Sequence, residues 1–187
     1  MELYVFENYR ELFPHLSGSS LTDRLVAEAL NACGYAGACD DTDGPADMRI
    51  LRTEKGKPYL PGEGVSAPYV SVSHSGSHFV CLIADLPVGV DLQHERNVDV
   101  MKISQRYFTR EEQRYLKEGG GGCRDEKKKF FILWTRKEAL SKYRGTGLEE
   151  IIKGTSVLKR TDVDFFDFQI EKGLYCSCCM MKKKKDI

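Results

Sequence analysis

Apolar and polar positions alternate with a period of two in several short stretches of the chain, a pattern typical of half-buried β-strands. In residues 88–93, valine and leucine alternate with glycine, aspartate and glutamine. Asp91 and Gln93 therefore share one face of the predicted strand. Further strands are predicted where β-branched and aromatic residues are frequent, at 3–6, 48–52, 70–73, 79–84, 157–158, 165–170 and 174–180.

Apolar residues spaced three and four apart predict helices between these strands. The first such helix has Ser20 or Thr22 as its N-cap and ends near Gly34. The first three predicted helices cover 21–30, 101–107 and 110–117.

A fourth helix is predicted around Trp134 and ends near 145–147. Trp134, Glu138 and Lys142 lie four apart, which places them along one side of this helix. A carboxylate on the packed side is costly unless a cation compensates it. Asp91 and Glu138 are therefore a candidate Mg²⁺ site that keeps several waters and takes further ligands from a phosphate substrate.

The order of these elements predicts an α+β fold. Strand, helix and strand content recurs in both halves of the chain, so we expect two pseudo-symmetric halves, each with a small sheet and a packed helix. The predicted halves are 1–88, with the substrate contacts, and 89–187, with the metal site and the long helix. Residues 36–48, rich in Gly, Asp and Ala, are predicted as a loop.

Charge and composition narrow the classes of function. The chain has 187 residues with 28 basic and 28 acidic side chains, so no net field favours nucleic acid or a membrane surface. The apolar runs are far too short for a membrane span. Residues 1–13 carry acids where a signal peptide needs a basic segment. We therefore expect a cytoplasmic protein without nucleic-acid or membrane partners.

The seven cysteines do not suggest a disulfide framework, because the number is odd and no export signal is predicted. Cys176 and Cys179 have the CxxC spacing, and Cys178 lies between them. A zinc site needs two more ligands, and the remaining cysteines form no second pair. The favoured interpretation is a final strand with small, apolar thiols.

Four motifs stand in a fixed order: GKP at 56–58, SVSHS at 71–75, GVD at 89–91 and WTRKEALSK at 134–142. FTREE, at 108–112, lies between the last two. Together they resemble the 4′-phosphopantetheinyl transferases of the surfactin-synthetase-activating type. The resemblance covers about residues 50–148 well and the ends loosely.

The resemblance implies transfer of the phosphopantetheine arm of coenzyme A to a serine of an apo acyl or peptidyl carrier protein. It further implies Mg²⁺ dependence, release of 3′,5′-ADP, coenzyme A held between two similar halves, and a monomeric enzyme. The carrier would serve fatty acid, polyketide or nonribosomal peptide biosynthesis. Such chemistry depends mainly on positioning and on neutralising phosphate charge.

The resemblance also assigns the metal ligands. Asp91 and Glu138 match the Mg²⁺ ligands of the family, which often has a third carboxylate where this chain has Gln93. A glutamine oxygen can coordinate a cation but brings no charge. We therefore expect weaker metal binding than with three acids, without loss of activity.

The phosphate contacts follow in the same way. His74 matches a histidine at the coenzyme A 3′-phosphate or pyrophosphate, and Ser73 a neighbouring phosphate contact. Lys57 matches a basic coenzyme A contact, and Lys142 a lysine used for the pyrophosphate and for proton handling. Arg10 and Arg24 match loosely the basic residues near the N-terminus with which the family holds the adenine or the 3′-phosphate. The alternative for each is structural: a turn histidine or an exposed basic side chain.

Glu112 matches the candidate general base of the family, which would deprotonate the attacking serine. The competing interpretation is a capping box with Thr109. Trp134 and Phe108 are predicted to be core residues, and Lys137 to be exposed or near the carrier protein.

The segment 101–115 carries four basic residues among apolar ones and is either a surface for an acidic carrier protein or a solvated amphipathic helix. Two other functions stay open. One is an inactive relative that binds coenzyme A, for which Gln93 is the argument. The other is a different Mg²⁺-dependent phosphotransfer or phosphohydrolase enzyme. The glycines at 119–122 are not followed by GK[ST], so they do not form a Walker loop.

Overall fold

The structure is a computed structural model that describes residues 1–35, 49–118, 122–147 and 154–182. The predicted loop at 36–48 lies outside the described residues. The strands are β1 Glu2–Phe6, β2 Leu51–Arg52, β3 Pro58–Tyr59, β4 Tyr69–Ser75, β5 His78–Ala84, β6 Val88–His94, β7 Val163–Glu171 and β8 Leu174–Met181. The helices are α1 Tyr9–Leu12, α2 Gly18–Ala32, α3 Val100–Tyr107, α4 Arg110–Lys117 and α5 Gly122–Arg144.

The α+β class predicted from the sequence is confirmed. Two antiparallel three-stranded sheets, ordered β1-β5-β4 and β6-β8-β7, are accompanied by a small β2-β3 pair. Helix α2 packs Leu25 and Leu30 against Val70 and Phe79 of the first sheet. No helix within the described ranges is both long and apolar enough to cross a membrane. The boundary between halves at 88/89 stays a prediction.

Helix α5 covers the second sheet and is longer than predicted, because the basic and acidic residues at 124–129 belong to it. Its buried residues include Phe131 and Leu140, which share an apolar cluster with Tyr175 and Cys179 of β8. The opposite face of β8 places Cys176 in a second cluster with strands of both sheets. The helix and this cluster together bury most residues of β6 and β8, whereas β7 at the edge of the sheet is largely exposed.

The predicted strand at 157–158 is absent, because this segment is an irregular bend. The backbone amide of Val157 donates to Glu112 Oε1 at 2.9 Å. The Glu112 side chain of α4 therefore binds the Val157 amide, which would otherwise have to pair with a neighbouring strand.

The two sheets meet along β4 and β6, which run side by side. Three serine hydroxyls of β4 accept hydrogen bonds from backbone amides of β6, as a substitute for a backbone ladder. The pairs are Val90 N to Ser71 Oγ at 3.0 Å, Leu92 N to Ser73 Oγ at 3.2 Å and His94 N to Ser75 Oγ at 2.9 Å. We call these three pairs the serine ladder. The constant offset of 19 residues means that β4 and β6 point in the same direction.

The cysteines of the described residues are free. Cys176 and Cys178 lie buried in the apolar cluster between the sheets. The hydrogen bond between the two thiols, and then burial, raise the pKa of Cys176. Small apolar side chains at these positions of β8 are what the sequence analysis favoured.

Candidate active site

The approach of α5 to β6 is set by Gly89. A Cβ atom at this position would lie 2.0 Å from the Ala139 carbonyl oxygen and 2.4 Å from the Tyr143 amide nitrogen. The helix backbone therefore lies directly on the strand, closer than any side chain allows. This close approach brings Glu138 and Lys142 of α5 next to Asp91, two residues beyond the glycine.

Asp91 is held through one of its two oxygens. Its Oδ1 accepts a hydrogen bond from Ser73 Oγ at 2.8 Å and from Lys142 Nζ at 2.8 Å. Lys142 Nζ also donates to the Val72 carbonyl at 3.2 Å. Across the part of the chain that the structure describes, Asp91 Oδ2 accepts no hydrogen bond. The carboxylate is therefore anchored on one side and open on the other.

Glu138 lies close enough to Asp91 for the two acids to influence each other. Burial, and then the negative charge of Asp91, raise the pKa of Glu138 to about 7, and the positive charge of Lys142 offsets part of this increase. Two acids in a partly buried position with a single lysine leave negative charge uncompensated when both are ionised. Hard oxygen ligands with excess negative charge suit Mg²⁺, so the residues fit the cation.

The third predicted ligand, Gln93, is oriented by other contacts. Its Nε2 donates to the His94 carbonyl at 3.1 Å. The side chain also lines a cavity of about 140 Å³ whose other walls include Phe130, Phe131 and Trp134. Among the described residues, no group of three or more His, Cys, Asp or Glu side chains is arranged to hold a metal ion. The candidate site thus contains two acids, and a role for Gln93 stays a prediction.

A cleft of about 380 Å³ reaches Asp91 through Ser73 and Lys142, which line the cleft and hydrogen-bond this carboxylate, although neither acid is among the described lining residues. The predicted residues Ser73, His74 and Lys142 all line it. Burial, followed by the charges of Arg10 and Lys142, lowers the pKa of His74. An imidazole surrounded by cations favours an anion as its ligand. The structure therefore brings three of the predicted phosphate contacts together with the candidate metal site.

Arg52 lines the same cleft, and none of the sequence motifs includes it. Its guanidinium donates to Asp23 Oδ1 at 2.7 Å and to the Ser19 carbonyl at 3.3 Å. The sequence feature that could have indicated Arg52 is its position at the start of a basic segment that ends with Lys57. Arg24, a predicted coenzyme A contact, pairs with Glu28 at 2.7 Å and is not among the described residues that line the cleft.

Lys57 has a structural task in this arrangement. Its Nζ donates to the Lys142 carbonyl at 2.9 Å and to the Val88 carbonyl at 3.4 Å. Burial lowers its pKa, and Glu63 partly offsets this. The lysine therefore satisfies a carbonyl at the C-terminal end of α5 and ties it to the start of β6. Its predicted contact with coenzyme A is untested.

The capping box predicted at Thr109 and Glu112 is confirmed. Glu112 Oε2 accepts from the Thr109 amide at 2.8 Å and pairs with Lys137 Nζ at 3.0 Å. The other oxygen is bound by the amide of Val157. Glu112 is 0% exposed, so its carboxylate cannot reach a substrate hydroxyl in this conformation. The general-base role stays a prediction that this geometry does not favour.

The prediction that Lys137 is exposed is wrong. The residue is 1% exposed, and its ammonium bridges Glu112 and the Thr155 carbonyl, the latter at 2.8 Å. Such a buried pair needs these extra hydrogen bonds to offset its desolvation. Phe108, predicted as core, is buried and stacks on Phe130 with ring centroids 5.2 Å apart.

Comparison with known proteins agrees with this geometry. Residues 87–180 match the sequence model of the 4′-phosphopantetheinyl transferase superfamily. The matched segment is half of the chain and contains Asp91, Glu138 and Lys142. The chain therefore belongs to this superfamily, and the resemblance inferred from the four motifs is confirmed.

Individual relatives carry the same name. The chain is 25% identical over 189 residues to 4′-phosphopantetheinyl transferase gsp of Aneurinibacillus migulanus, a match that covers 94% of this chain and 72% of that protein. It is 29% identical over 118 residues to 4′-phosphopantetheinyl transferase Sfp of Bacillus subtilis, covering 63% of this chain and 50% of the relative. A putative 4′-phosphopantetheinyl transferase of Synechocystis, slr0495, is 32% identical over 106 residues, 56% of this chain and 42% of the relative. The chain thus spans half or less of the last two proteins.

Proposed function

We propose that this chain transfers the 4′-phosphopantetheine arm of coenzyme A to a serine hydroxyl of an apo acyl or peptidyl carrier protein, with Mg²⁺ as the metal. In this reaction a bond forms between the serine oxygen and the phosphorus that bears the pantetheine. The phosphoanhydride bond breaks, 3′,5′-ADP leaves with the electron pair, and the serine proton passes to a base. The observation that carries the proposal is the convergence of Asp91, Glu138 and Lys142 beside the cationic cleft.

Asp91 and Glu138 are the residues that would hold the cation. The open Oδ2 of Asp91 and the carboxylate of Glu138 supply two oxygen ligands, and a bound Mg²⁺ would neutralise charge on the pyrophosphate. Ser73 and Lys142 fix the other oxygen of Asp91. With two acids, the cation keeps positions for waters and for substrate oxygens.

The cationic side chains of the cleft would bind and orient the phosphates. Lys142, Arg52 and His74 all line this space, so anionic groups of coenzyme A would meet two cations and an imidazole that can donate a hydrogen bond. Positioning and charge neutralisation supply most of the acceleration in phosphoryl transfer. The neutralised leaving group is more stable, and this favours breakage of the phosphoanhydride bond.

The carrier protein is proposed to dock on α3 and α4. Four basic residues are exposed on these helices, namely Lys102, Arg106, Arg110 and Arg114. Carrier-protein helices that accept the arm are acidic, so the charges of the two surfaces would be complementary.

The proposal also includes a cytoplasmic location and action as a monomer. The carrier protein would serve fatty acid, polyketide or nonribosomal peptide biosynthesis.

A double charge reversal tests this docking surface. Arg106→Glu with Arg110→Glu is expected to raise the KM for the carrier by about tenfold while leaving kcat nearly unchanged, because surface charges act mainly on encounter. Lys172→Glu with Lys182→Glu, at exposed sites on the β7-β8 turn and just after β8, is the control for the same change in net charge. Steady-state kinetics at two ionic strengths measure the effect. An equal rise in KM with the control variant would place docking elsewhere.

Because Glu138 is protonated below about pH 7, both the stability of the metal-free chain and its affinity for the metal should depend on pH. Its folded pKa of about 7 lies above the ordinary value of 4.5, so the folded chain binds the extra proton between these values. The free energy of unfolding of the metal-free chain should therefore fall as pH rises from about 4.5 to 7. Because a metal needs the ionised carboxylate, affinity should rise about tenfold per pH unit below 7 and level off above it.

Two titrations check this prediction. Mn²⁺ binding followed by electron paramagnetic resonance at pH 6, 7 and 8 gives the affinity, and thermal unfolding in EDTA between about pH 4.5 and 7 gives the stability. Glu138→Gln is expected to remove both pH dependences and to bind the metal weakly. An affinity that is constant between pH 6 and 8 would argue against Glu138 as a ligand.

The reaction itself is tested by chromatography of the nucleotide products. The wild-type chain with coenzyme A, Mg²⁺ and an apo carrier protein should release 3′,5′-ADP only when the carrier is present. Nucleotide release without a carrier would indicate a phosphohydrolase instead. Absence of product with coenzyme A still bound in calorimetry would indicate an inactive relative.

A further inference from the structure

The serine ladder has three equivalent steps, but the middle one differs in what it touches. Ser71, Ser73 and Ser75 are 1%, 8% and 6% exposed, and each hydroxyl accepts one amide of β6. Only Ser73 also has a carboxylate partner, since its hydroxyl donates to Asp91 Oδ1 at 2.8 Å. Ser73 therefore both links the two sheets and contacts the candidate metal site.

The hydroxyl of Ser73 is committed on both sides. Its proton goes to Asp91, and a lone pair accepts the Leu92 amide at 3.2 Å. A phosphate oxygen in the cleft would need that same proton, because a hydroxyl has one donor. The contacts in this structure thus favour a role for Ser73 in holding Asp91 over the phosphate contact predicted from the sequence.

Ser73 is also the more rigid of the two groups that hold Asp91 Oδ1. The Lys142 side chain is 28% exposed and reaches Oδ1 through a long, flexible stem. Ser73 is short, nearly buried and fixed by an amide of the strand that carries Asp91. Its hydroxyl therefore orients the carboxylate even when Lys142 turns to a phosphate, and Oδ2 is left open.

We propose that Ser73 is a positioning residue that fixes Asp91 so that Oδ2 is presented to the divalent cation. This inference rests on the proposed function, because it concerns the same cation. Groups that hold a ligand carboxylate in place affect metal affinity strongly when removed. Ser73 acts only through Asp91 and takes no part in bond making.

The neighbouring steps of the ladder supply matched controls. Ser71→Ala and Ser73→Ala each remove one hydroxyl from the same face of the same strand and leave one β6 amide without its partner. Their melting temperatures should fall by similar amounts. Only Ser73→Ala should weaken Mn²⁺ binding, by about 10- to 100-fold, measured by electron paramagnetic resonance without coenzyme A.

A conservative variant separates positioning from general loosening. Ser73→Thr keeps the hydroxyl and is expected to restore Mn²⁺ affinity to within about threefold of wild type. Mn²⁺ affinity unchanged in Ser73→Ala, or reduced equally in Ser71→Ala, would overturn the inference while leaving the proposed function intact. Failure of the wild-type chain to bind Mn²⁺ would overturn both this inference and the metal part of the proposed function.

Discussion

Gly89→Ala is expected to abolish transfer and to destabilise the chain. The added methyl group would lie 2.0 Å from the Ala139 carbonyl oxygen and 2.4 Å from the Tyr143 amide nitrogen. Both atoms belong to the helix backbone, so no side-chain rotation relieves the contact. Forcing α5 away from β6 should cost about 3 kcal/mol or more of unfolding free energy and move Glu138 and Lys142 away from Asp91.

Denaturant unfolding and the rate of transfer measure the two consequences. Gly154→Ala is the control, because a Cβ at Gly154 meets nothing within 4 Å and its φ is not in the left-handed region. The control should change stability by less than about 1 kcal/mol. Wild-type stability and activity in Gly89→Ala would mean that α5 does not lie on β6 as described.

Asp91→Asn is expected to lower the rate of transfer by about a thousandfold, as expected when a charge that supports the transition state is lost. The amide is nearly isosteric, and its oxygen can still accept from Ser73, so the fold should be kept. What disappears is the negative charge that pairs with Lys142 and that the cation needs. Coenzyme A should still bind through the cationic wall of the cleft.

Kinetics with saturating coenzyme A, calorimetry and thermal unfolding separate these effects. Asp85→Asn, at an exposed site before β6, controls for loss of one acidic charge. A transfer rate in Asp91→Asn within a factor of ten of wild type would rule out Asp91 as a required ligand. A collapse of thermal stability instead would make its role structural.

The sequence predicted the parts of the fold that depend on local patterns. The alternation at 88–93 correctly placed Asp91 on a strand, and the spacing of four correctly placed Glu138 and Lys142 on one helix. Gly89 allows these residues to meet, because it lets α5 lie directly on β6. A single glycine in a strand pattern does not predict such a contact. The motif order supplied this information through the family resemblance.

The incorrect predictions concern contacts between distant segments. Lys137 is buried because Glu112, 25 residues earlier, has the opposite charge at the same place in the core. Helix α5 is packed on most of its circumference. Every second residue from Leu133 to Ala139 is buried, and so are Leu140 and Ser141, so the buried positions do not follow the helical repeat. A periodicity analysis cannot identify an exposed face in such a helix.

The serine ladder shows a different limit. Its three serines alternate along β4 as any polar face of a strand does. Their partners lie 19 residues further on, across a joint between two sheets that no local signal describes. Lys57 is similar, since its partners are carbonyls of Val88 and Lys142. Sequence reasoning therefore found the chemical groups of the site but not what holds them in place.

The most direct measurement is intact-mass spectrometry of an apo carrier protein incubated with this chain, coenzyme A and Mg²⁺. The account predicts that the carrier gains the mass of one phosphopantetheine, that EDTA prevents the gain and that added Mg²⁺ restores it. The Asp91→Asn and Glu138→Gln variants should give little or no product in the same time. A carrier that gains the arm equally well in EDTA, or through Asp91→Asn, would contradict the metal site on which the account depends.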